Sequence, residues 1–170
     1  KMAQARIIAQ IKIMLRICTC ATVFQDYKGP EITGRMEAIF DEIRRIPTNK
    51  RVTIGVRQNN IVRAYAKAAQ KAFPDRPVFT ITGSDYQPHQ RRELIYGRFE
   101  DFDNAILVCI QQSVSESISI DSVDYCFIAE LHWNDSKMSQ FYYRFIRYIS
   151  TREKYIYYVN FPESIETNLI

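Results

Sequence analysis

Glycine is scarce, with 5 residues in a chain of 170. None precedes a Lys-Ser or Lys-Thr pair, so the Gly-rich loop that cradles triphosphates in P-loop enzymes is excluded. Cys-x-x-Cys pairs are also missing. Cys18, Cys20, Cys109 and Cys126, with only His89 and His132 to help, give no zinc-ligand spacing. The thiols read as buried and reduced in a cytoplasmic protein, and no metal site of the chain's own is expected. No apolar run reaches the length of a membrane span, so no membrane partner is expected. The opening Lys1-Met2-Ala3-Gln4-Ala5-Arg6 lacks the apolar core and small-residue cleavage site of a signal peptide. A chain that opens on Lys reads as a piece of a longer one.

What is present is a globular composition. Hydrophobic residues make up 46% and charged residues 25%, and 11 Tyr with 10 Phe rule out disorder. The net charge of +4 is unevenly spread. Residues 1–71 carry 14 Lys and Arg against 5 Asp and Glu, whereas residues 72–170 carry 9 against 14. A basic first half suits a polyanion partner.

Residues 2–17 predict a helix, with Ile7, Ile8, Ile11, Met14, Leu15 and Cys18 at helical spacing. Asp26-Tyr27-Lys28-Gly29-Pro30 then breaks the chain, which sets a leading linker helix at 1–28 before a main fold at 29–170. Thr33 is placed to cap a helix through Ile46 that buries Met36, Ile39, Phe40 and Ile43. Val52–Val56 reads as a strand, and Asn59 or Asn60 as the cap of a helix burying Ile61, Tyr65, Ala68, Ala69 and Phe73. A strand at 77–81 ends at Thr82-Gly83, and a helix from Pro88 to Phe99 follows. Ala105–Ile110 is apolar at consecutive positions, as in strands covered on both faces. Further strands fall at 123–129 and 155–159, with a helix at 137–149 between them. This alternation predicts an α/β fold with a mainly parallel sheet and helices on both faces.

On a helical wheel over 137–149, Met138, Phe141, Tyr142, Phe145 and Ile149 share one arc. Gln140, Arg144 and Arg147 share the opposite one. Two guanidinium forks a turn apart suit a triphosphate, though a solvated Arg face would look the same.

The strand before this helix ends Ala129-Glu130-Leu131-His132-Trp133-Asn134-Asp135. Glu130-Leu131-x-Trp133-Asn134 followed by Gln140-x-x-x-Arg144-x-x-Arg147 resembles the second RecA-like lobe of superfamily-2 helicases. It is most similar to the Swi/Snf-type DNA translocases, and among them to the annealing-helicase branch. The resemblance runs from about Lys1 to Val159. It takes in Met14-Leu15-Arg16-Ile17-Cys18, Thr33-Gly34-Arg35-Met36, Arg57-Gln58-Asn59 as motif IV, Phe79–Gly83 and Gln90-Arg91-Arg92. The family's Gly-rich motif V is altered. Gln111 stands for its Thr, Val114, Ser115 and Ser117 for Gly, and Ser119 for Asn. Ile146 stands for the His between the motif VI arginines, and Ile149-Ser150 for the Gly-Gln after them.

The resemblance implies an ATP-dependent helicase or translocase, an enzyme part that is inactive as an isolated fragment. Arg147 would be the arginine finger, Arg144 a second phosphate or interlobe contact and Gln140 a positioning residue. Ser117, Arg144 and Arg147 would meet ATP. Arg57, Gln58, Asn59, Thr82, Gly83, Gln111, Gln112 and Ser113 would track a DNA backbone, with RNA also open. ATP with Mg²⁺ would be held mainly by a first RecA-like lobe that this chain does not contain, and that lobe would be the other partner. The implied location is intracellular: the nucleus, or the cytoplasm of a prokaryotic or virus-infected cell. The altered motif V leaves an alternative open, a degenerate module that grips nucleic acid or regulates without hydrolysis.

Overall fold

The computed structural model describes residues 2–115, 118–132, 134–147 and 150–169. Its order is α1 (Met2–Cys20), α2 (Gly34–Arg45), β1 (Val52–Val56), α3 (Asn59–Ala72), β2 (Val78–Ile81), α4 (Pro88–Gly97), β3 (Ile106–Ile110), α5 (Gln111–Ser115), β4 (Tyr125–Ile128), α6 (Asp135–Tyr142) and β5 (Tyr155–Tyr158). Short 3₁₀ turns lie at Ala21–Val23, Phe99–Asp101 and Ile165–Leu169.

The five strands form one sheet in the order β2-β3-β1-β4-β5, parallel at every pairing. β1 and β3 are buried at all five positions, which explains their unbroken apolar runs. One face of the sheet is covered by α2 and α3 through Met36, Phe40, Ile43, Ile61, Tyr65 and Ala69. The other is covered by α4, α5 and α6 through Leu94, Ile95, Val114, Met138 and Phe141. The expected α/β lobe with helices on both faces and a leading helix is therefore the one observed.

Three expectations change in detail. Thr33 occupies the N-cap of α2 with an extended backbone, but its hydroxyl makes no capping bond and is buried without a partner. The helix from Pro88 ends at Gly97, and Phe99 reaches the core from a 3₁₀ turn. The helix expected over 137–149 ends at Tyr142. Arg144 and Phe145 turn back with N–H bonds to Phe141 O (3.0 Å) and Tyr142 O (2.9 Å), and the Arg144 carbonyl accepts from Ile120 N (2.8 Å). The turn still buries Phe145 edge-on against Phe141, with ring centroids 5.0 Å apart. Packing of Phe145 and pairing with Ile120 replace continued helix. Ile149 lies outside the described residues.

Among the described residues, the buried positions of the leading helix lie in its carboxyl-terminal half. Leu15, Thr19 and Cys20 are buried, and Tyr65 Oη donates to Thr19 O (2.9 Å). Ile7, Ile8 and Met14, expected on a packed face, are exposed, as are Ile13 and Ile17.

Candidate nucleic-acid and nucleotide interface

In a sheet of this order, the chain leaves β1 for one edge and later crosses to the other. Ligands in open α/β sheets settle in the crevice beyond the strand carboxyl ends at such a switch point. Here the crevice lies beyond β1, β3 and β4, and its base is tightly bonded. Gln111 Nε2 donates to Gly55 O (3.1 Å) and Glu130 O (2.7 Å), tying the three strand ends together. Glu130 Oε2 accepts from Arg57 N (2.8 Å), and burial raises the Glu130 carboxyl above its usual pKa despite that bond.

Two cavities open here. A groove is lined by Arg57, Gln58, Asn59, Gly83, Gln112 and Ser113, with Arg63 and Arg91 at its sides. Six of the eight residues expected to follow a nucleic-acid backbone thus share one groove. The other two do not. Thr82 is buried, and its hydroxyl accepts from Asp85 N (3.1 Å), closing the turn after β2. Gln111 is buried with its amide spent on strand-end carbonyls, and Gln111, Gln112 and Ser113 open the short α5 instead of a loop. Both are polar residues at strand ends, and tertiary bonds turn them inward.

Asn59, a candidate for both cap and ligand, braces a neighbouring loop. Its Oδ1 accepts from Gly83 N (3.1 Å) and its Nδ2 donates to Ser84 Oγ (3.1 Å). Asn60 Oδ1 instead accepts from Ile61 N (3.0 Å) in the first turn of α3. Arg91, part of the resemblance but not among the expected site residues, organises this end of the sheet. Its buried guanidinium donates to Tyr86 O (3.1 Å), Ser113 O (3.1 Å) and Gly83 O (3.4 Å), fixing the loop after β2 to α5 after β3. An Arg in the first turns of α4 was the available signal, but its targets are distant in sequence.

The second cavity, of about 250 Å³, lies between α5 and α6. Arg57, Gln112, Ser115, His132, Lys137 and Gln140 line it. Burial lowers the His132 pKa, and the charges of Arg57 and Lys137 lower it further. His132, weighed in the sequence only as a metal ligand, and Lys137 were not expected here, because neither has a motif spacing.

Because α6 stops at Tyr142, Gln140, Arg144 and Arg147 do not project as one helical face. Gln140 is exposed at the second cavity. Arg144 Nη2 donates to the Ser115 carbonyl, which borders the same cavity. Arg147 Nε donates to Ser119 Oγ (3.0 Å). Ser119 is itself held by Tyr96, whose hydroxyl donates to Ser119 O (2.9 Å). Both arginines are thus bonded to the segment that follows β3. Ser117, expected to meet ATP, and Trp133, central to the motif, lie outside the described residues. No group of three His, Cys, Asp or Glu residues that could hold a metal ion occurs among the described residues. All four cysteines are free thiols, and burial pushes Cys109 and Cys126 well up. No described helix is long and apolar enough to cross a membrane.

No family model and no curated protein matches the chain. Solved structures do. The C-terminal part of the Fun30 ATPase domain is 18% identical, with a TM-score of 0.74 over 87% of this chain and 47% of that one. Domain 2 of the DEAD-box helicase Mss116p, solved bound to an RNA duplex, is 16% identical, with a TM-score of 0.60 over 76% of this chain and 49% of that one. The chain therefore spans about half the length of these structures. At such identities the likeness speaks for architecture alone: the chain shares the RecA-like α/β fold of these two domains.

Proposed function

We propose that this chain is the second motor lobe of an ATP-dependent DNA helicase or translocase of the Swi/Snf type, nearest the annealing-helicase branch. The observation that carries the reading is the groove at the switch point, where Arg57, Gln58, Asn59, Gly83, Gln112 and Ser113 meet beyond parallel strands. Guanidinium, amide and hydroxyl groups suit phosphates and carry no base code, as a motor indifferent to sequence requires. The likeness to an ATPase domain, that of Fun30, supports an ATP-driven motor, and the RNA duplex on Mss116p keeps RNA among the ligands to be tested.

ATP with Mg²⁺ would supply the transferable phosphoryl group, with the metal and P-loop provided by a first RecA-like lobe. The residues here fit a triphosphate on donor chemistry. Arg147 meets Ser119 through Nε, so the Nη edge of its fork is the edge a γ-phosphate would meet. A guanidinium so placed stabilises charge that grows in the transition state, worth on the order of 10³-fold or more in comparable enzymes. Arg144, through the Ser115 carbonyl, holds the adjoining segment in place. Closure of two lobes would bring Arg147 to the nucleotide, coupling hydrolysis to movement along the backbone.

The test is Arg147→Ala in the intact motor. ATP turnover should fall steeply, kcat more than KM, with nucleic-acid affinity kept. Arg147→Lys should not rescue, because a point charge lacks the fork. Near-normal turnover in the Ala variant would overturn the assignment.

A second reading has its own support. Both arginines are bonded within the lobe, to Ser115 and Ser119, where the resembled family has Gly and Asn. A module that grips nucleic acid without hydrolysis would look this way, and absence of nucleic-acid-stimulated turnover in the intact protein would favour it.

A further inference from the structure

Arg57 lines a third cavity besides the two at the strand ends. This one, of about 320 Å³, runs from Arg57 and Gln58 to the leading helix, where Lys12, Leu15 and Arg16 close it, with Glu130 in its wall. Leu15 is buried and anchors the helix. Lys12 and Arg16 are one helical turn apart and face the same space. Among the described residues neither lies within ion-pair distance of a carboxylate. The Arg16 guanidinium stacks over Phe24 at 5.0 Å, which fixes its place, yet its Nε is buried with no hydrogen-bond partner. A buried guanidinium N–H without an acceptor is a standing cost that an anionic oxygen would remove. The one acid in the wall, Glu130, is bonded to Arg57 N and to the Gln58 side chain. Three cations against one carboxylate leave the cavity positive.

We propose that the leading helix is part of the polyanion-binding surface: Lys12, Arg16 and Arg57 form a phosphate subsite that continues the strand-end groove onto α1. The ligand is a phosphodiester of the same nucleic-acid strand, so the proposal rests on the reading of that groove given above. The subsite gives a use to two of the three basic residues of α1, a helix that carries no acidic residue. It contacts backbone only and adds affinity without sequence preference.

The experiment titrates a duplex and a single-stranded oligonucleotide into the full chain at several salt concentrations. It compares the parent with a Lys12→Ala, Arg16→Ala double variant and with Arg44→Ala, a control that removes an exposed charge on α2. The double variant should bind several-fold more weakly on every sequence. The slope of log affinity against log salt should fall by between about 1 and 2, at roughly 0.9 per duplex phosphate and 0.7 per single-strand phosphate. Arg44→Ala should leave both unchanged. Because Arg16 also packs on Phe24, Lys12→Glu is measured alone; Lys12 is exposed, so its reversal tests the charge without a packing change. A parent that binds with a salt slope which neither variant alters overturns the α1 subsite and leaves the groove standing. A parent that binds no nucleic acid overturns both. Titration of inorganic phosphate separates the sources: variant-sensitive binding of phosphate, with oligonucleotide affinity unchanged by the variants, assigns the cavity to a small anion and overturns its continuity with the groove.

Discussion

Gly55 has no side chain, and the seating of α6 depends on that. A Cβ at this position in β1 would stand 2.6 Å from two carbons of the Phe141 ring and 3.2 Å from Gln111 Cγ. Gly55→Ala must therefore displace the Phe141 ring, and the expected cost is about 1–3 kcal/mol. Urea unfolding measures it, and Phe141→Leu on the same background should recover part of the loss, because the two sites share the clash. Glu130 makes a second residue-scale prediction. Burial raises its pKa above the usual 4.5, so the folded chain holds that proton more tightly than the unfolded chain does. The stability this group contributes is full below about pH 4.5 and is lost as pH rises through the raised folded value. Glu130→Gln cannot titrate. Its thermal midpoint should rise relative to the parent as pH goes from 4.5 towards 8, and a difference independent of pH would refute this.

At the scale of elements, the carboxyl-terminal 3₁₀ turn is locked to the lobe by a buried ion pair. Arg35 of α2 donates to both carboxylate oxygens of Glu166, through Nη1 at 2.9 Å and also through Nη2. Arg35 Nη1 also reaches Ala129 O (2.7 Å) just past β4, and Phe161 N donates to Glu166 Oε2 (3.2 Å). Both side chains are essentially inaccessible, so removing one partner strands a buried charge. Glu166→Ala should cost about 3–5 kcal/mol, measurable by denaturant unfolding, whereas removing the exposed Arg45–Glu42 pair should cost under about 1 kcal/mol. Elements differed in how far sequence revealed them. Sequence alone gives β1 its observed bounds, α2 the buried Met36, Ile39, Phe40 and Ile43, and α3 the buried Ile61, Tyr65, Ala68 and Ala69 but not Val62 or Ala66, because hydrophobic periodicity is local. It does not give the end of α6, because nothing at Tyr143-Arg144-Phe145 breaks a helix. The stop comes from Ile120, whose N–H takes the Arg144 carbonyl, and from the demand that Phe145 pack on Phe141.

For the whole molecule, the absence of a P-loop leads to a direct expectation. The chain alone should release no phosphate from ATP, with or without duplex DNA. DNA-stimulated turnover by these 170 residues would overturn the two-lobe reading. Sequence alone determined the α/β alternation, the burial of central strands on both faces and the approximate places of the strand-end polar groups, since each follows from residue order within a few turns of chain. The tertiary structure decided which of those groups meet. Strand order brings Arg57, Gly83 and Ser113 to one groove, although they come from three different strand ends. It also turns Gln111 and Thr82 inward, sets Arg91 across three carbonyls and ties Arg144 and Arg147 to the segment after β3. Those outcomes depend on hydrogen bonds between residues far apart in the chain, such as Gln111 with Gly55, and no local pattern of residue types encodes such partners.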